Sequence, residues 1–307
     1  MKMEIKTLRK ALAVAVLALT SGYTTQASAL PLEPFSFHQS SGFLVDNSLL
    51  STTGNNNIGW YNLASSPMPP TGEFNTLAWG RPVTNAGGGL LAANPFTADP
   101  GAGNITTDLS GIRVLGHAGT ITTGAALGGG SDWGAWASIS TVYHQNRAID
   151  ATASFLVSSI LQSILTLDHS PEGDIGSNAN PVNIGFNETF NAVDTGVCPA
   201  GNPLGSLCDD LFTFNLDSFA PISFPFGGHN YEVQFQLGNF SNSFSNYAVN
   251  VNPACPDNTC TIWTAENVTS SLDVQARIRQ LPEPATLALF GIGLLGLGFA
   301  KRRQLKG

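Results

Sequence analysis

Two segments of the chain alternate apolar and polar residues without a break, and this period of two constrains the fold more than any other feature. They are Tyr231–Leu237 and Leu272–Ile278. Successive side chains of a β-strand point to opposite faces, so the pattern is typical of strands with one buried face. Apolar runs between clusters of turn-forming residues predict further strands. These are Phe74–Trp79, Ile112–His117, Ala137–Tyr143, Val182–Phe186, Leu211–Leu216 and Thr259–Thr264.

One segment leaves its secondary structure open. Between residues 154 and 167, Leu156, Ile160, Ile164 and Leu167 recur at helical spacing. The β-branched, Ser and Thr content of the same segment fits a long strand or a hairpin equally well. Short strands at close spacing favour an all-β body, an antiparallel β-sandwich or a jelly-roll-like fold. We find no boundary within residues 30–281 and expect one β domain there.

The charge of this body excludes one class of partner. Residues 30–281 contain five arginines, no lysine and 19 acidic residues, which gives a net charge of −14. Nucleic-acid binding depends on clustered Lys and Arg that neutralise phosphates. We therefore expect no nucleic-acid partner.

The ends of the chain carry two apolar segments of different kinds. At the N-terminus, basic residues precede an apolar run at Ala11–Leu19, and Ala27 and Ala29 frame a small-residue cleavage site. The pattern predicts a signal peptide over residues 1–29. An uncleaved membrane helix is the alternative, but the run has about half of the roughly 20 residues that a span needs.

The four cysteines fit an exported protein. An even number of cysteines in an oxidising compartment indicates disulfides, and four residues allow three pairings. We favour the local pairs, Cys198 with Cys208 and Cys255 with Cys260, because each pair brackets turn-forming residues. A zinc site is the alternative, yet the spacing lacks a CxxC pair.

The C-terminal segment combines three features in a fixed order. Pro282, Glu283 and Pro284 come first, and the two prolines exclude a helix that runs through them. Ala285–Ala300 follows without a charge, about 24 Å long as a helix at ~1.5 Å per residue. Lys301, Arg302 and Arg303 close it and favour the cytoplasmic side. We expect a single transmembrane helix, somewhat short for a bilayer core of ~30 Å.

This order of proline-framed glutamate, apolar helix and basic stop resembles the PEP-CTERM sorting signal of Gram-negative bacteria that make exopolysaccharide. The resemblance covers Leu281 to Lys306. It implies that exosortase, a membrane enzyme, recognises residues 282–307 and cleaves near the motif. The chain would then be held in the inner membrane for a time and delivered to the cell surface, the outer membrane or the extracellular matrix.

Residues able to carry chemistry are scattered. The histidines lack a Gly-x-Ser-x-Gly or HExxH context, so we expect no catalytic residues and no enzyme activity. We expect no cofactor apart from structural calcium as an alternative. The loops that could hold calcium contain these acidic residues: Asp99, Asp108, Asp168, Glu172 and Asp174.

The body is similar to the THxN family of PEP-CTERM proteins, named for a Thr-His-x-Asn motif. The segments that carry the similarity are Phe74–Gly80, His144–Asn146 with Ile149, Glu188–Asn191, Cys198 and Cys208–Asp210. Tyr143 stands where the family has threonine. The resemblance implies a surface β domain in which His144 and Asn146 serve the fold.

Together these features predict an exported structural or adhesive protein of the cell surface or exopolysaccharide matrix. Exosortase, the inner membrane and exopolysaccharide are the expected partners. The alternative is a secreted carbohydrate-active enzyme or carbohydrate-binding module with an all-β fold. It would need paired carboxylates about 5 Å or 6.5–9.5 Å apart in a groove, lined by Trp133, Trp136 or other aromatic residues.

Overall fold

The computed structural model describes residues 32–45, 51–53, 58–62, 73–80, 89–90, 95, 109–127, 130–147, 149, 155–170, 173–188, 198, 202–206, 208–215, 220–241, 243–245 and 259–281. Within these ranges the regular structure is entirely β, as predicted. None of them contains a helix with the length and hydropathy needed to cross a bilayer. The predicted signal peptide (1–29) and C-terminal helix (285–300) lie outside the described residues.

The described residues form 19 strands. They are β1 (Pro34–Leu44), β2 (Ser51–Thr53), β3 (Gly59–Tyr61), β4 (Glu73–Phe74), β5 (Thr76–Trp79), β6 (Gly89–Leu90), β7 (Ser110–Gly116), β8 (Ala118–Thr122), β9 (Ala126–Leu127), β10 (Gly130–Ser131), β11 (Ala137–Gln145), β12 (Phe155–His169), β13 (Gly173–Asn187), β14 (Asp210–Asn215), β15 (Ile222–Phe226), β16 (His229–Ser241), β17 (Ser243–Ser245), β18 (Thr259–Thr264) and β19 (Thr269–Gln280).

Two large sheets organise these strands. The first sheet has the order β17-β18-β14-β13-β12-β1-β4, with β2 also paired to β12 and β8 to β1. The second sheet has the order β15-β16-β19-β11-β7-β5-β3-β6, and β9 and β10 form a separate pair. All pairings are antiparallel except that of β3 with β6. The last strand, β19, therefore lies inside the second sheet, between β16 and β11.

The ambiguous segment is a strand. Residues 155–169 form β12, which pairs with β1 along one side and with β13 along the other. In an interior strand the ladders on both sides provide hydrogen-bond partners for the backbone N–H and C=O groups. The segment is therefore stable as a strand, although the spacing of its leucines and isoleucines also permits a helix.

The alternating segment in β16 owes its stability to both faces. Tyr231, Val233, Phe235 and Leu237 are buried in the core, as the pattern predicts. The polar face is not simply solvated, because each polar residue bonds its cross-strand neighbour on β19. The pairs are Glu232 with Arg279, Gln234 with Arg277, and Gln236 with Gln275.

Glycine determines the turn that enters β16. Gly227 and Gly228 have φ angles of 57° and 81° and connect Phe226 to its ladder partner His229. Two successive positive φ angles are what a tight two-residue hairpin turn requires, and glycine adopts them without steric cost.

The core lies between the two large sheets. One apolar cluster unites Phe43, Ile184 and Phe212 of the first sheet with Leu77 and Ile112 of the second. A second cluster joins residues of both sheets near β15 and β16: Phe35, Phe37, Ile121, Ile139, Leu165, Leu167, Tyr231, Val233, Phe235, Ala276 and Ile278. The sheets thus bury their apolar faces against each other; jelly-roll-like connectivity stays a prediction.

Candidate functional site

The residues predicted from sequence fall into two groups. Ala27, Ala29, Cys255, residues 282–284 and residues 301–303 lie outside the described part of the chain. The predicted disulfide between Cys198 and Cys208 is present. Cys260 is also disulfide-bonded. The family-motif residues, His144 and Asn146, are 3% and 0% exposed.

His144 sits at the end of β11, where its ladder partners are Ile112 and Ser270. Its imidazole is enclosed by aromatic rings, stacked on Trp79 with the centroids 6.0 Å apart and meeting Phe212 edge-on at 4.7 Å. Burial lowers the pKa of His144 to about 3, because no water solvates the charged form. The side chain is therefore neutral at physiological pH.

Asn146 follows directly after β11. Its backbone N–H donates to the carbonyl of Val268, 3.0 Å away. Within the described residues, neither Nδ2 nor Oδ1 of its side chain has a hydrogen-bond partner. Both motif residues are therefore part of the interior, and a buried amide without partners is unusual in folded proteins.

Three carboxylates meet beside His144, and we call Glu188, Asp210 and Glu266 the acidic cluster. Glu188 follows β13, Asp210 opens β14, and Glu266 lies in the turn between β18 and β19. All three are buried, and one oxygen of each lies within 4.8 Å of the others. Asp210 Oδ2 is 3.9 Å from Nε2 of His144.

The acidic cluster is electrostatically unfavourable as three charges. Burial raises the pKa of Glu188 well above its ordinary value, and the charge of Asp210 raises it further. The hydrogen bond that Trp79 Nε1 donates to Glu188 Oε2, at 2.8 Å, opposes this shift. A buried group of like charges requires a proton or a cation to neutralise part of it.

The disulfide loop fixes one side of the acidic cluster. Asp209, which is fully buried, accepts hydrogen bonds from the Leu204 amide at 2.7 Å and from the Ser206 hydroxyl at 2.6 Å. The same Ser206 Oγ accepts the backbone N–H of Glu266 at 3.1 Å. The loop between Cys198 and Asp210 is thereby tied to the turn that carries Glu266.

A cavity adjoins His144 between the sheets. Its volume is about 10 Å³, roughly enough for one water molecule, and His144, Phe212, Phe214 and Thr264 contribute to its lining. Ligand pockets usually enclose roughly 300–1,000 Å³. The space is therefore small for a sugar ring and its substituents.

The junction between body and tail is short. The backbone N–H of Gln280, the last residue of β19, donates a hydrogen bond to Ser131 Oγ at 2.7 Å. The backbone N–H of Leu281 donates to the carbonyl oxygen of Asn230 at 2.7 Å. Pro282 is the next residue. Residues 280–303 match the PEP-CTERM protein-sorting motif.

The motif confirms the sorting signal predicted from the C-terminal segment. PEP-CTERM proteins are exosortase substrates, so the match implies export and processing at a membrane. The match covers the tail and not the β body, so membership of the THxN family stays a prediction. Curated proteins gave no match to the chain.

Sequence reasoning did not identify the acidic cluster as a site. Its members are far apart in sequence and form no spacing motif. The one signal was the second family resemblance, because Trp79, His144, Glu188 and Asp210 all belong to the segments that carry it and converge in space.

Of the proposed calcium residues, Asp168 pairs with exposed His38 at 3.5 Å. The side chains of the others lie outside what the structure describes: Asp99, Asp108, Glu172 and Asp174.

Proposed function

We propose that this chain is an exported β-sandwich protein that exosortase sorts through residues 280–303 and that has a structural or adhesive role at the cell surface or in the exopolysaccharide matrix. The observation that carries the proposal is the position of the sorting motif immediately after β19. A cut within or after the motif leaves the whole body intact. A cut before residue 269 would remove an interior strand of the second sheet.

The surface aromatic residues support a structural role over the carbohydrate-active alternative. The guanidinium of Arg277 lies 4.7 Å from the ring centre of Trp133 and 4.3 Å from that of Trp136. Arg279 lies 4.3 Å from Trp133 and also pairs with Glu232. Cation–π contacts of this kind stabilise the protein and occupy ring faces that sugar stacking would use.

The buried carboxylates support the same choice. A glycosidase needs its two carboxylates in a groove that admits a sugar. Glu188, Asp210 and Glu266 instead lie in the interior, beside Trp79 and His144. We also propose that the body belongs to the THxN family, since four residues from the segments that carry the resemblance meet in the interior: Trp79, His144, Glu188 and Asp210.

The hairpin turn provides the place for a tag that tests sorting. One epitope is inserted between Gly227 and Gly228, which are both exposed, so the pairing of β16 with β15 and with β19 is not interrupted. A second epitope follows Gly307. In cells with exosortase, we expect the internal tag in the surface or extracellular fraction and the C-terminal tag separated from it. Glu283→Gln should keep both tags together in the inner membrane.

Glu172→Gln is the matched control, because it makes the same substitution between β12 and β13, far from the motif in sequence. It should sort as the wild type does. If Glu283→Gln also sorted normally, the motif would not be what exosortase reads. The matrix role is tested by fractionation: the processed body should sediment with exopolysaccharide, and a body found free in the medium would contradict that role.

A further inference from the structure

His144 can offer a lone pair at Nε2 when its proton is on Nδ1. Thr264 Oγ1 lies 2.8 Å from Nδ1 of His144 and 3.5 Å from the carbonyl oxygen of Asp210. A hydroxyl both donates and accepts, so Thr264 Oγ1 is able to accept the proton of Nδ1–H while its own proton points towards that carbonyl. A metal ion at Nε2 would select this tautomer, because it needs the lone pair there.

Nε2 lies beside Asp210, one of the three carboxylates of the acidic cluster. Nε2 lies 3.9 Å from Asp210 Oδ2, and within the described residues it has no hydrogen-bond partner. The imidazole is 97% buried, so bulk water does not reach it. In the tautomer with a lone pair at Nε2, that lone pair and the carboxylate of Asp210 repel each other unless a positive centre lies between them.

We propose that Nε2 of His144 and one oxygen each from Glu188, Asp210 and Glu266 bind a single divalent transition-metal cation. Nothing in the sorting function requires this site, so it is independent of exosortase processing. The 3.9 Å separation of nitrogen and oxygen suits two ligands on one ion, at ~2.0–2.2 Å each, after a small contraction.

The donor set selects the class of ion. One imidazole nitrogen with carboxylate oxygens suits Zn²⁺ or Mn²⁺, whereas Ca²⁺ and Mg²⁺ favour ligand sets made of oxygen alone. A doubly charged ion would neutralise two of the three carboxylate charges. Nδ1–H bonded to Thr264 Oγ1 provides the orienting contact that metal-binding histidines usually have.

The position of the ligands suggests what the ion does. His144 belongs to the second sheet, Glu188 and Asp210 adjoin or belong to the first, and Glu266 lies in the turn that connects the two. The ion would join both sheets at one end of the core. It would be a structural site, because all four ligand side chains are buried.

The test uses the full chain, purified in mild detergent and treated with EDTA. Zn²⁺, Mn²⁺ and Ca²⁺ are then added separately, and the melting temperature and bound metal are measured. At about 100 times the dissociation constant, Zn²⁺ or Mn²⁺ should raise the melting temperature by about 5–10 °C. Elemental analysis after gel filtration should find one ion per chain.

Two variants separate the metal site from a general loss of folding. His144→Phe keeps an aromatic ring beside Trp79 and Phe212 but removes the ligand nitrogen. Glu188→Gln removes one buried negative charge, so the EDTA-treated variant should melt at the same or a higher temperature than the wild type. Both should lose the response to Zn²⁺ and Mn²⁺. Asp168→Asn, in the exposed pair with His38, is the control and should keep it.

Three outcomes would overturn the proposal. The first is no metal response in the wild type, which would mean that shared protons neutralise the acidic cluster. The second is an equal response in Glu188→Gln. The third is stabilisation by Ca²⁺ that His144→Phe leaves unchanged, because the imidazole would then not be a ligand.

Discussion

Removal of the Cys198–Cys208 disulfide should destabilise the body and loosen one side of the acidic cluster. The substitution is Cys198→Ala together with Cys208→Ala, which leaves no free thiol from this pair. The closed loop contains Leu204 and Ser206, whose amide and hydroxyl are held by the carboxylate of Asp209, the residue directly after the loop. Loss of the crosslink frees these contacts to open, and with them the bond from the Glu266 amide to Ser206.

The magnitude follows from the length of the loop. The two cysteines are 10 residues apart. In the chain-entropy model, closing a loop of about that length stabilises the folded state by roughly 2.7 kcal/mol. Partial loss of the hydrogen bonds to Asp209 adds about 1 kcal/mol. We therefore expect the free energy of unfolding to fall by about 2–4 kcal/mol.

Urea denaturation followed by tryptophan fluorescence measures this change, and hydrogen exchange at the Leu204 amide reports on the loop itself. The amide should exchange faster in the variant, while amides of β16 keep their protection relative to global unfolding. A fall of less than about 1 kcal/mol, with Leu204 still protected, would refute the role assigned to the crosslink.

Two further predictions concern buried side chains. Burial raises the pKa of Glu73 from 4.5 to about 7. Between these two pH values the folded state binds more protons than the unfolded state, so the free energy of unfolding falls as the pH rises from 4.5 to about 7. Glu73→Gln should stabilise the protein at pH 8 by about 1–2 kcal/mol and flatten the pH profile of urea denaturation, whereas an unchanged profile would contradict the shift. Trp79→Phe removes the hydrogen bond to Glu188 and leaves a small cavity. The free energy of unfolding measured by urea denaturation should therefore fall by about 2–4 kcal/mol. Trp60→Phe, at a half-buried site in the second sheet, should lower the free energy of unfolding clearly less than Trp79→Phe does. Equal losses in the two variants would argue that the hydrogen bond from Trp79 to Glu188 does not stabilise the fold.

Regular alternation made much of the fold predictable. The segments within β16 and β19 appear as strands, and β18 has the predicted bounds, Thr259–Thr264. The pattern did not predict β1, because its apolar alternation stops after Phe37. Gln39 and Ser41 occupy the next inward positions and are buried, bonded to each other and, for Gln39, to Ser163. A polar layer inside a core is stabilised by partners that only the folded chain provides.

The candidate site was less accessible to sequence reasoning for a related physical reason. His144 could be named from a motif, but its chemistry depends on Glu188, Asp210 and Glu266, which different strands bring together. No spacing in sequence encodes that contact. The disulfide was predictable because turn formation and proximity in sequence act locally, whereas the acidic cluster depends on the packing of one sheet against the other.

Intact-mass spectrometry of the protein recovered from the surface of exosortase-bearing cells tests sorting most directly. Processing at both ends predicts a mass that begins at Leu30 and lacks the apolar segment Ala285–Ala300 with its basic stop. The same measurement on Glu283→Gln should find the tail intact, and only in the inner membrane. Wild-type protein at the surface that extends to Gly307 would contradict exosortase sorting.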